Sequence, residues 1–227
     1  MGVFITFEGP EGSGKSTQAR LLYERLQAEG YPVILTREPG GTRIGEMIRR
    51  ILVDLRHTEM APTTETLLFS AARAQLVSEL IRPYLNTGGI VLCDRYADST
   101  FAYQGYGLGR DLDELQAITA VATGGLMPDL TFYLDIEVEE GLRRKRAQRE
   151  RTTAPGTPGA NAEWNRLDAR DLAYHQRVVA GFLELMRRDP ARWRRLSANQ
   201  PVEAVAAQIY AEVEPLLAPV ARLGPTV

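Results

Sequence analysis

Short, almost wholly apolar runs alternate along the chain with longer stretches in which apolar residues return every third or fourth position. Val3, Phe4, Ile5 and Phe7 form the first run, Ile90-Val91-Leu92-Cys93 leads into Asp94, and Leu130-Thr131-Phe132-Tyr133-Leu134 leads into Asp135. Runs this short and this apolar fit strands covered on both faces, as in a parallel sheet. The longer stretches carry the spacing of amphipathic helices. The pattern predicts strands at 3–8, 32–37, 90–94 and 130–135, with a short one near 193–197. Helices are predicted at 15–29, 43–54, 63–86, 111–123, 138–150, 167–187 and 202–217, with a helical stretch inside 97–107. Strands alternating with helices imply an α/β fold of three layers, a central five-stranded parallel sheet flanked by helices.

Composition narrows the picture. The chain has 227 residues and a formal net charge of −2, enough for one domain with a sizeable core and without a generic basic surface for nucleic acid. Cys93 is the only cysteine, so no internal disulfide forms and a reducing compartment fits. No apolar stretch reaches membrane-spanning length and the chain starts directly in a core strand, so a soluble, cytoplasmic protein with no membrane partner is expected. Residues 1–217 are expected to form the domain, and 218–227 a frayed, Pro-containing tail. Lys15 and Lys145 are the only lysines; Lys145 lies in an arginine-rich run and reads as incidental. His57 and His175 lack the companions of a metal site and read as surface or structural residues.

Residues 9–16, Gly9-Pro10-Glu11-Gly12-Ser13-Gly14-Lys15-Ser16, match G-x-x-x-x-G-K-[ST] at every fixed position, directly after the first strand and at the start of a helix through Thr17. That context turns a glycine-rich turn into a phosphate cradle: backbone N–H groups point inward and the helix N-terminus carries partial positive charge. Lys15 can reach the β- and γ-phosphates, and the Ser16 hydroxyl can hold Mg²⁺. The motif implies binding of a nucleoside triphosphate. Asp94, at the end of its strand, can take a Mg²⁺-bound water. Arg95 follows it where many hydrolytic ATPases carry Glu, and a cationic fork there suits a second phosphate-bearing substrate better than hydrolysis. Asp135 ends another strand and could also face the nucleotide, but its plainer reading is a structural cap of the strand. The segment 152–163 is almost free of apolar side chains and reads as a mobile loop. Arg146, Arg149 and Arg151 precede it and Arg166 follows, the arrangement of a lid over transferring phosphates, or else of a solvated basic helix end.

Four further segments extend the match beyond the phosphate loop. Leu92 to Gln104, Thr36 to Thr42, Leu67 to Arg73 and Asn165 to Asp168 together resemble the motifs of the bacterial thymidylate kinases, P-loop nucleoside-monophosphate kinases, and the likeness runs from Phe4 to about Ala211. The resemblance implies a P-loop NTPase fold with a mobile lid at about 146–166. It implies ATP as phosphoryl donor with Mg²⁺, dTMP as acceptor, and a homodimer, for which the helix 63–86 could supply an apolar face. Phe69 would stack on thymine, Arg73 donate to a thymine carbonyl, and Thr100 and Gln104 hydrogen-bond the base edge. Tyr103 would lie beneath the sugar and select the deoxy form. Arg95 and Arg49 would clamp the dTMP phosphate, with Glu11 and Glu38 framing the pocket. Taken singly, each has a plainer reading: Phe69 and Tyr103 as packing residues, Arg49 as a solvated helix residue.

In this family a catalytic arginine lies either in the phosphate loop or in the lid. Glu11 occupies the loop position here, so the lid must supply the charge, through Arg149 and Arg166 with Arg151 behind them. Arg144 resembles the residue that packs on the ATP adenine. The Pro/Gly-rich insert between Arg151 and Arg166 leaves open which arginine touches the phosphate. The expected reaction is direct in-line transfer from ATP to dTMP. The rival readings are another nucleoside-monophosphate or deoxynucleoside kinase, and a nucleotide-binding module without transfer.

Overall fold

The computed structural model describes residues 2–153 and 165–222, without the side chains of 151–153. Five parallel strands form one sheet in the order β2-β3-β1-β4-β5: β1 Val3–Glu8, β2 Val33–Arg37, β3 Ile90–Asp94, β4 Leu130–Asp135 and β5 Trp193–Ser197. The helices are α1 Lys15–Ala28, α2 Arg43–Val53, α3 Pro62–Leu76, α4 Arg82–Asn86, α5 Ala97–Thr100, α6 Leu112–Thr123, α7 Val138–Thr153, α8 Leu172–Arg188 and α9 Val202–Val213.

The side-chain alternation of β1 explains the layering. Val3, Ile5 and Phe7 enter a core shared with α1 and α9, whereas Phe4 enters the opposite core with Leu76, Ile81, Tyr96 and Leu115. A third cluster joins Tyr103, Tyr133, Tyr174, Phe182 and Trp193, and it fastens α8 to the 101–107 segment. Full burial of a side chain such as Phe4, Ile5, Phe7 or Phe182 contributes roughly 1.5–3 kcal/mol of transfer free energy.

Three predicted boundaries shift for identifiable reasons. The helix predicted over 63–86 is divided by a π-helical turn, Val77–Ile81, ahead of Pro83, which has no N–H to give to the preceding turn. The helix predicted from 167 begins at Leu172, because the Asp171 carboxylate accepts the Tyr174 N–H at 2.6 Å. Residues 166–170 instead form turns, with the Asp168 carboxylate accepting the Asn165 N–H at 2.8 Å. The last helix stops at Val213 and tightens into a 3₁₀ turn, Glu214–Leu217. Beyond it the expected fraying does not begin at 218: Val220 is buried in the core, and the Arg222 guanidinium donates to the Tyr31 hydroxyl at 3.1 Å. Residues 223–227 lie outside the described part, as do 154–164, on which most of the expected lid falls.

Pairing of Phe7 with Asp94 brings the carboxyl ends of β1 and β3 level, so the loop after β1 and the residues after β3 share one crevice. Ligands in open α/β sheets bind in such a crevice.

Candidate active site

The loop from Gly9 to Gly14 wraps around the Lys15 side chain. Lys15 Nζ donates to the Gly9 carbonyl at 3.0 Å, the Pro10 carbonyl at 2.6 Å and the Ser13 hydroxyl at 3.2 Å. Among the described residues no side chain caps α1, which leaves its first-turn amides without a side-chain acceptor. Gly12 has φ +70°, and a Cβ there would lie 2.0 Å from the Gly141 carbonyl oxygen in α7. The reciprocal Cβ on Gly141 would lie 2.2 Å from the Glu11 carbonyl oxygen. Loop and α7 therefore touch backbone to backbone. Burial, then the neighbouring Arg95, pull the Lys15 ammonium down to about 8, against Glu11 and Asp94. Ser16 Oγ donates to Asp94 Oδ2, so two hard oxygen groups meet at the uncapped helix end. These donors suit Mg²⁺.

Across the crevice, Arg73 is almost fully buried and makes a two-nitrogen pair with Glu38, Nε at 2.9 Å and Nη2 at 2.7 Å from Oε2. Its Nη2 also donates to the Tyr96 carbonyl at 3.1 Å. Among the described residues, Arg73 Nη1 and the buried Thr100 hydroxyl have no hydrogen-bond partner. Buried polar atoms without partners are costly, and a nucleobase edge would satisfy them. Phe69, half-buried one turn before Arg73, belongs to none of the core clusters. Arg49 is half-buried and donates to the Pro39 carbonyl at 3.1 Å. Tyr103 and Gln104 are buried in the second π-helical turn, Phe101–Gly107.

Between the two halves lies a charged network. Arg95, the one non-glycine residue with positive φ among those described (+72°), points its guanidinium at Glu11, 2.6 Å away. Tyr103 OH donates to the same oxygen at 3.0 Å, and Arg95 lies 5.0 Å over the Tyr103 ring. Lys145 Nζ donates to the other Glu11 oxygen at 2.9 Å and to Asp168 Oδ1 at 2.5 Å. Burial opposes ionisation of Glu11, but Arg95, Lys145 and Lys15 outweigh it and hold its carboxyl well below the usual range. Behind them Glu8 accepts from the Tyr96 N–H at 2.8 Å and the Ser99 hydroxyl at 2.6 Å. Burial raises its carboxyl to about 7 against the pull of Arg95.

The sequence signals did not single out Glu65, which is 1% exposed and central to the other end of the slot. One Glu65 oxygen accepts from Gln104 Nε2 at 2.9 Å, and the other takes Arg166 at 2.5 Å and Arg170 at 2.6 Å. A carboxylate only accepts, so the Gln104 amide nitrogen is turned to Glu65 and its carbonyl away. Arg166 is thus committed here to Glu65 and the Leu52 carbonyl, 3.3 Å away, not to the phosphate cup expected for a lid arginine. Arg149 lies on α7; the side chain of Arg151 lies outside the described residues. Arg144 reaches from α7 to the Ala198 carbonyl at 3.1 Å and Asn199 Oδ1 at 3.0 Å. Asp135 pairs with Arg195 of β5 at 2.6 Å.

With this arrangement in view, the thymidylate kinase family model matches residues 7–209. The chain belongs to the thymidylate kinase family. Two curated members are the thymidylate kinases of Roseiflexus castenholzii, 71% identical over 98% of this chain and 97% of the relative, and of Roseiflexus sp., 73% identical over 98% of each. The crystal structure of thymidylate kinase from Ehrlichia chaffeensis superposes with a TM-score of 0.73 at 30% identity, covering 94% of this chain and 100% of that one. Among the described residues, no helix is long and apolar enough to cross a membrane.

Proposed function

We propose that the protein transfers the γ-phosphoryl group of ATP to dTMP, giving dTDP by direct in-line displacement. The observation that carries this reading is the shared crevice. A triphosphate cup built on Lys15 faces a slot whose Arg73 Nη1 and Thr100 hydroxyl lack partners. Arg95, joined to Glu11, stands between them.

Gly9 to Thr17 would cradle the donor phosphates. Mg²⁺ would be held by the Ser16 hydroxyl, with Asp94 acting through water, and it would neutralise charge on the β- and γ-oxygens. Phe69 would carry the thymine ring by stacking. Arg73 would donate to a base carbonyl. The Gln104 carbonyl, turned from Glu65, would accept the thymine N3–H, with Thr100 beside it. Tyr103 would occupy the space a 2′-hydroxyl needs, Glu38 would hold Arg73 in place, and Arg95 with Arg49 would bind the acceptor phosphate through fork geometry. Glu11 would fix Arg95 until that phosphate arrives. Arg149 would be the leading lid cation for the transferred group, with Arg151 behind it, and Arg166 would join them only after leaving Glu65. Arg144, at the junction of α7 with the loop after β5, would pack on the adenine. Transfer needs no covalent intermediate, so catalysis is positioning plus charge stabilisation.

The domain is read as continuing past 217 to Arg222, since Val220 packs in the core, with the lid at about 146–166, and as working in the cytoplasm as a homodimer. An outward stripe of Ile44, Met47, Ile51 and Leu55, beside Leu67, supports a second copy, and most of it lies on α2 rather than on the 63–86 helix. A coupled assay with ATP, Mg²⁺ and dTMP, dUMP, dCMP, dGMP or AMP tests the function. Strong preference for dTMP is expected, and comparable rates across the panel would favour a general monophosphate kinase.

A further inference from the structure

Of the two lysines in a chain otherwise basic through arginine, Lys145 bonds Glu11 directly and Lys15 acts on it only through space. Lys15 is accounted for by the phosphate cup. Lys145 is not: it projects from α7, its side chain 17% exposed, and bridges Glu11 in the loop after β1 to Asp168 in the turn before α8. Those partners lie 134 and 23 residues away in sequence. The bridge sits where the backbones of α7 and the loop already touch, at Gly12 and Gly141.

A carboxylate in a phosphate cup repels both the donor and the acceptor phosphate unless it stays compensated. Among the described residues, two cations contact Glu11 directly, Arg95 at 2.6 Å and Lys145 at 2.9 Å. On the function proposed above, the dTMP phosphate draws the Arg95 fork away from Glu11. We propose that Lys145 is a positioning residue for the acceptor: it keeps Glu11 compensated when Arg95 leaves, and so releases Arg95 to bind the dTMP phosphate. Asp168 fixes the ammonium in line for this exchange. Lysine suits the task because one compact ammonium can meet two carboxylates at once. Without it Glu11 retains Arg95, and dTMP must compete with an internal anion.

The test is a double-mutant cycle with steady-state kinetics on the full chain. Lys145→Met should raise KM for dTMP roughly tenfold or more while leaving KM for ATP nearly unchanged. Lys145→Arg should restore most of the loss. Adding Glu11→Gln to Lys145→Met should bring KM for dTMP back to that of Glu11→Gln alone, since the competing anion is gone. Additive effects of the two changes, or a Lys145→Met variant that loses thermal stability with KM for dTMP unmoved, would overturn the proposal. Wild-type protein in the same assay keeps the two readings separate: absence of dTDP there defeats the proposed function itself.

Discussion

Replacing Glu65 by Gln should loosen the choice of base without touching the choice of methyl group. The Glu65 carboxylate accepts from Gln104 Nε2 at 2.9 Å inside the protein, and this holds the amide in one orientation. Turning that amide over would lose a charge-assisted hydrogen bond, about 1.5–3 kcal/mol, and would set a carbonyl oxygen against a carboxylate oxygen. The inverted form is therefore disfavoured by about 3 kcal/mol, a factor of roughly 100. In the Glu65→Gln protein either orientation finds a partner, and the inverted Gln104 offers an N–H to the ring N3. Cytosine accepts there, whereas thymine and uracil donate. The ratio of kcat/KM for dTMP over dCMP should thus fall by up to about 100-fold. The dTMP over dUMP ratio should stay constant, since both bases present the same N3–H. A coupled assay on the three monophosphates reads both ratios, with thermal melting as a check on folding. A folded variant whose dTMP over dCMP ratio equals that of the wild type would refute the orientation argument.

Other outcomes follow from the same geometry. Lys15→Ala should lose activity chiefly through the ATP site, and Arg95→Ala chiefly through dTMP. Near-full turnover of the Arg95 variant at low dTMP would contradict that division. Because Lys15 deprotonates at about 8 in the free protein and must be charged to hold phosphates, kcat/KM for ATP should fall as pH rises through about 8. Glu8, raised from 4.5 to about 7, binds its proton more tightly folded than unfolded, so its contribution is complete below 4.5 and is lost as pH rises through about 7. That is worth about 3 kcal/mol, and the melting temperature of Glu8→Gln should gain on the wild type between pH 5 and 7. Gly12→Ala should separate the phosphate loop from α7 and sharply weaken ATP binding by calorimetry, since its Cβ would lie 2.0 Å from a backbone oxygen.

The parts of the site legible in the sequence are those whose chemistry is contiguous. Eight consecutive residues carry the whole phosphate-loop motif, and the strand before it and helix behind it are visible in the apolar pattern alone. Asp94 was readable because a polar residue closing an apolar strand has few other uses. Lys145 was not, since an arginine-rich amphipathic helix gives no sign of which cation turns inward, and both partners lie on other elements. Glu65 was hidden for a similar reason: on α3 it has the spacing of a solvated helix residue, and only the fold brings Gln104, Arg166 and Arg170 to it. Arg166 was read as a lid arginine from its place beside the loop and its part in the Asn165–Asp168 match, and only the fold shows its bond to Glu65. The C-terminal segment was read from its prolines, and tertiary contact of Val220 and Arg222 overrides that composition.

The most direct test of the two-site account is a crystal structure with dTMP and a non-hydrolysable ATP analogue bound. Thymine should lie against Phe69, with its edge on Arg73 Nη1 and the Thr100 hydroxyl. The acceptor phosphate should sit on Arg95 in place of Glu11, in line with the γ-phosphate above Lys15. A slot left empty, or a monophosphate bound elsewhere with the Arg95–Glu11 pair intact, would contradict it.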